Sequence, residues 1–125
     1  YIKGCQGTLS AVSGPSLGTP FLMDLGGPAR ATGILSVGFS RTRLGSLTLP
    51  LDLGLALPGM TGCPFASSLH IVLPASLDAA GKGKAVVPVP KDPLYTNLPI
   101  YCQAVLATPA LKFASTNGLA GIIGL

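Results

Sequence analysis

A chain of 125 residues has room for one compact domain with its own core, and nothing in its length calls for a second. Hydrophobic residues make up 48% of it and charged residues only 10%, against roughly a quarter in ordinary globular proteins, so part of its surface is expected to be apolar and to meet a partner. The net charge of +4 does not make a nucleic-acid binder, because the lysines and arginines are scattered instead of gathered with aromatics on one face.

Gly and Pro recur at short intervals, and the segments between them alternate or are β-branched, which is an all-β pattern. Strands are predicted over residues 8–12, 21–25, 33–40, 46–51, 69–73, 85–89, 100–107 and 118–123. About eight short strands make a single antiparallel β-sandwich over residues 1–125, jelly-roll or immunoglobulin-like, with little or no helix. In "GILSVGFS", Leu35, Val37 and Phe39 share a face that belongs in the core. In "LPLDLGLALPG" the leucines from Leu49 to Leu57 recur with period two, while Pro50 and Gly54 predict an edge position or a break near Asp52 to Gly54. "SLDAAGKGKAVVPVP" lacks the spacing of a phosphate-binding loop and runs on into a strand, not a helix. Asp78 and Gly81 instead predict a turn in a hairpin connection, the Asp bonding the turn backbone. Lys82, Lys84 and Lys91 flank the next apolar strand, where lysines discourage edge-to-edge pairing. The tail "GLAGIIGL" predicts a last strand, paired in its own domain or with a neighbour's edge.

The chain opens at Tyr1 without a methionine and without a basic segment leading into an apolar run, which fits a processed, exported protein. The uncharged run 53–77 is long enough to cross a bilayer, but Pro58, Pro64, Pro74 and several glycines would leave backbone groups unpaired in lipid, so no membrane span is expected.

The inventory for catalysis is poor: one histidine, four aspartates, no glutamate and no tryptophan. His70 falls in a predicted strand between Leu69 and Ile71, Asp78 and Asp92 fall at turns, Asp24 lies within a strand where an Arg could pair with it, and Asp52 supports a bend. No D-x-D-x-D cluster offers a calcium loop, and no C-x-x-C offers a zinc knuckle or redox pair. The reading is therefore of a protein that is not an enzyme, with no catalytic residues, cofactor or metal.

Several short motifs follow one another along the chain: Gly4 and Cys5, Gly14 and Pro15, Leu17 and Gly18, Asp78 to Gly81, Lys91 to Pro93, Tyr101 to Gln103, and Ser115 with Asn117 to Leu119. In that order the chain resembles, over nearly its whole length, an uncharacterised β-rich domain found near the C-termini of large secreted proteins of planctomycetes and other environmental bacteria. The resemblance implies export and a β-sandwich, and it carries no catalytic residue over. Its members often have a cysteine at both Cys5 and Cys63, which here stand in the glycine-containing loops "KGCQG" and "TGCPF". That implies a Cys5–Cys63 disulfide, with Cys102 in "IYCQAV" a buried free thiol and an intermolecular bridge as the alternative.

Two function classes follow. One is a secreted or cell-surface structural domain that self-assembles as a homo-oligomer or polymer, the subunit of a filament, sheath or surface layer. The other is a secreted carbohydrate-binding or adhesion module of a larger protein, with a polysaccharide as partner, although a chain without Trp is short of sugar-stacking faces.

Overall fold

The computed structural model describes residues 4–12, 16–40, 43–44, 47–49, 51–53, 57, 60, 62–65, 67, 71–89, 91–110 and 112–124. Among the described residues twelve strands follow in chain order: β1 (Thr8–Ala11), β2 (Phe21–Gly26), β3 (Thr32–Gly38), β4 (Arg43–Leu44), β5 (Leu47–Thr48), β6 (Leu51–Asp52), β7 (Pro64–Phe65), β8 (Ile71–Ser76), β9 (Lys82–Val87), β10 (Pro99–Ala107), β11 (Phe113–Ser115) and β12 (Leu119–Ile122). A 3-10 turn spans Pro93–Tyr95.

Two antiparallel sheets pack face to face as a β-sandwich. One has the order β1-β2-β9, and the other runs β11-β10-β3-β8 with β12 also paired to β10. Alternation places the side chains: in β2, Phe21, Met23 and Leu25 are buried while Leu22 and Asp24 face out. Ala85 and Val87 of β9 and Leu9 of β1 complete that inner face. Across from them lie Leu35 and Val37 of β3, Ala75 of β8, and Ile100, Cys102, Ala104 and Leu106 of β10.

The outer face of β10 is covered as well. Leu49 and Phe65 are buried against Leu53 and Val105, so residues from the 43–67 excursion form a partial third layer. Under it Gln103 is fully buried, its Nε2 donating to the carbonyls of Pro64 and Thr116, both at 2.9 Å. Ser36 Oγ donates to the Gln103 carbonyl at 2.9 Å, and Ser67 Oγ to that of Tyr101 at 3.0 Å. Such pairing is required of polar groups buried in a sheet centre. The layer is tied down covalently by the Cys5–Cys63 disulfide, the pairing the resemblance implied. Closing a separation of 58 residues stabilises the fold by about 4 kcal/mol in the loop-entropy model.

β10 pairs along one edge with β3 and along the other with β12 and then β11. Val105 faces Ser115 and Cys102 faces Leu119, so the outer chain carries one extra residue between them, a β-bulge. Thr116 fills the gap: Ala104 N donates to Thr116 Oγ1, and Thr116 N to the Ala104 carbonyl, both at 2.9 Å. Asn117 turns toward the other sheet, where its side chain accepts from Leu9 N at 2.8 Å and donates to the Leu9 carbonyl at 3.0 Å. The C-terminal strand therefore belongs to its own domain, and Ile123 is a core side chain.

Three predicted elements need correction. Residues 46–51 do not form one strand but contribute to β5 and β6, and the pairing of β6 ends at Asp52, where the Pro/Gly-interrupted leucine run was expected to break. The strand set at 85–89 begins three residues earlier, because Lys82 and Lys84 point out while Gly83 lies against β8, where a β-carbon would collide with the Ser76 carbonyl oxygen. The Asp78 turn exists, but β8 and β9 belong to opposite sheets, so it is a crossing and not a hairpin.

Candidate functional site

Among the described residues the aspartates stand at turns and on strands. Asp78 Oδ1 accepts from Lys82 N at 3.0 Å and Ala80 N at 2.9 Å, and these two bonds hold its carboxyl below the ordinary range. Asp92 Oδ1 accepts from Leu94 N at 3.0 Å and starts the 3-10 turn. Asp24 faces out of β2 opposite Lys84, and Asp52 stands opposite Pro64 in β6. His70, Arg41 and Tyr1 lie outside the described residues. Among the described residues no three His, Cys, Asp or Glu side chains gather as a metal site would require.

The free Cys102 thiol is buried between the sheets, and burial pushes it up to about 12. It is a protonated, apolar-packed group with little nucleophilic character. The polar layer around Gln103 is closed as well. Thr96 Oγ1 is the one side-chain polar atom among the described residues that is buried without a partner, so nothing in that layer is left to bind a ligand.

What the fold does leave open is one end of the sandwich. At the opposite end two sheet-to-sheet crossings, β2 to β3 and β8 to β9, are bonded side by side: Gly27 N donates to the Gly81 carbonyl at 3.0 Å, Arg30 N to that of Asp78 at 2.9 Å and Leu77 N to that of Ala31 at 2.8 Å. At the open end β3 stops at Gly38, and β9 leaves its sheet at Pro88, which has no N–H to continue a ladder. Between them lies a cleft of about 620 Å³. Its floor is Val37, Val87, Ile100 and Ile123, all buried. Phe39, Ile71, Pro88 and Tyr95 are less buried and make its rim, with Val89 beside them.

The rim is held from both sides. Asp92 and the 3-10 turn aim Tyr95 inward, Asn97 N donates to the Ile123 carbonyl at 2.8 Å, and Ile123 N returns a bond to Leu98 at 2.9 Å. Gly18 N reaches the Val89 carbonyl at 3.2 Å. No described residue lining the cleft carries a formal charge, and the Tyr95 hydroxyl is the only polar side-chain group among them. The sequence reading missed the cleft, since each of its walls reads as ordinary core or loop.

No family model, curated protein or solved structure matches the chain. No helix among the described residues is long and apolar enough to cross a membrane, and the disulfide is compatible with an extracellular protein.

Proposed function

We propose that the chain is a secreted or cell-surface structural domain that assembles with copies of itself, as the subunit of a filament, sheath or surface layer. The observation that carries this reading is the uncovered half of the larger sheet's outer face. The 43–67 layer packs on β10, while Ile34 of β3 and Val72 of β8 remain 40% and 49% exposed, with Pro74 beside them opposite Ile34. An apolar step next to a fixed layer is a surface that a second copy can cover.

The contact this supports is face to face and not strand to strand. The edge strand β8 is interrupted by Pro74, and the edge strand β9 carries Lys82 and Lys84, both of which oppose strand addition. The resemblance to secreted bacterial domains supports the location. A carbohydrate-binding or adhesion module ranks second, because the described tyrosines make no open platform: Tyr95 lines the cleft and Tyr101 is half-buried in the central strand.

Sedimentation velocity over a wide concentration range tests the reading. Wild type should gain mass with concentration, and the double variant Ile34→Lys/Val72→Lys should stay monomeric with unchanged circular dichroism. A wild type that is monomeric throughout would overturn it.

A further inference from the structure

We infer that the open-end cleft is a binding site for a single unbranched aliphatic chain with an uncharged head group. This goes beyond the assembly reading and does not depend on it. The cleft's volume, about 620 Å³, falls among pockets that take small organic ligands, which run roughly 300–1,000 Å³. Val37 and Ile100 of one sheet and Val87 of the other are only 2–3% exposed, so a ligand rests over them, against the more open Phe39, Ile71, Pro88 and Tyr95.

The wall chemistry selects the ligand. At this end the inner faces finish in Val37, Val87 and Ile100, with Phe21 opposite Val87, so the recess is bounded by apolar side chains from both sheets. Water in the cleft meets mostly carbon, the Tyr95 hydroxyl being the only polar side-chain group among the described lining residues. Methylene groups lose nothing there and gain contact on both sides. The described lining residues are apolar apart from the Tyr95 hydroxyl, so the tail belongs on the apolar floor and the head group at the rim.

The probes are the 1-alkanols from hexanol to dodecanol, titrated calorimetrically into the full chain at a concentration where sedimentation shows monomer. Affinity should rise about fourfold for each added methylene and then level off once the cleft is full. Ile71→Glu places a charge on the rim at a residue already 41% exposed, and should weaken decanol binding at least tenfold with the circular dichroism unchanged. Should that variant fail to fold, Pro88→Glu at the same rim serves in its place, with the same loss expected. Affinity independent of chain length, a rise with no plateau, or a folded rim variant that binds decanol like wild type would each overturn the proposal. So would a cleft that monomers leave empty and a second copy occupies, seen as decanol having no effect on monomer and dispersing oligomers.

Discussion

The two ends of the sandwich are built from different residues and behave as opposites: small and turn-forming ones at the closed end, branched and aromatic ones at the open end. At the closed end two crossings, residues 27–31 and 77–81, exchange backbone hydrogen bonds, and Ala31 and Leu77 are buried beneath them. At the open end the strands stop at different heights, and the space between the sheets is bounded by Val, Ile and Pro side chains and by Tyr95. Hydrogen bonds between two crossings close the first; apolar side chains make most of the described lining of the second. A fold can thus concentrate its conformational constraint at one end, where Asp78 braces a crossing, and leave an apolar recess at the other.

The largest expected effect breaks the closed end. Gly81 has φ of +76°, and a β-carbon there would collide with the Gly27 carbonyl oxygen. Gly81→Val should cost roughly 3 kcal/mol or more in urea unfolding, combining backbone strain with separation of the two crossings. A loss under 1 kcal/mol would mean that the crossings are not coupled.

The next test compares packing. Ala104, wholly buried in mid-core, has no room to grow, so Ala104→Val should lose about 1–3 kcal/mol. Val87→Ile adds its methylene at the cleft and should leave stability within about 0.5 kcal/mol of wild type, or raise it. Equal losses from the two would mean that the cleft is not free space.

Cys102 then reports how far water reaches in from the open end, since it pairs with Val37 on the cleft floor. Its folded value, about 12, lies above the 9.0 of a free thiol, so its contribution is fully present below pH 9.0 and is lost as pH rises toward 12. Unfolding free energy should fall by up to about 1.4 kcal/mol per pH unit in that window, and Cys102→Ala should remove that part of the slope. Rapid alkylation of the native thiol at neutral pH would contradict the burial.

The smallest effect is at the closed end's exposed carboxylate. The Asp78 carboxyl titrates lower in the folded chain, so its contribution is present above its unfolded value and is lost on acidification through the folded one. Asp78→Asn keeps an acceptor for Lys82 N and Ala80 N and should flatten the acid limb of the stability curve slightly. A steeper acid limb in the variant would reverse the assignment.

Much of this comparison could be read from the residues, and the unread part has a physical cause. The pattern "FLMDLG" puts Phe21, Met23 and Leu25 inward without ambiguity, because alternation is a local signal. Asp78 as a turn residue was legible for the same reason, whereas the turn's role as a crossing depends on which sheet each neighbour joins, a matter of pairing partners far along the chain. β11 was missed because three residues give too short a period to detect, and Gln103 because the carbonyl of Pro64 that satisfies it lies 39 residues away. The cleft was illegible in principle: an unfilled volume is bounded by ends of β3, β8, β9 and β10, and each wall has the composition of core.

The bulge beside β10 has a consequence for the rest of the chain. In β11, Ala114 stands opposite the inward Leu106, so even-numbered positions face the core. In β12, Leu119 stands opposite the inward Cys102, and the exposed positions are Ala120 and Ile122, the latter 64% exposed. The extra residue has shifted the phase of the alternation by one, so that odd-numbered positions face inward. Losing a single residue between 116 and 118 would invert every side chain of the last strand, turning Leu119 outward and Ala120 and Ile122 inward, though no core residue had been substituted. Single-residue deletions in this segment are therefore expected to be more damaging than most substitutions within it, because the count of residues there sets which half of "LAGI" meets the core.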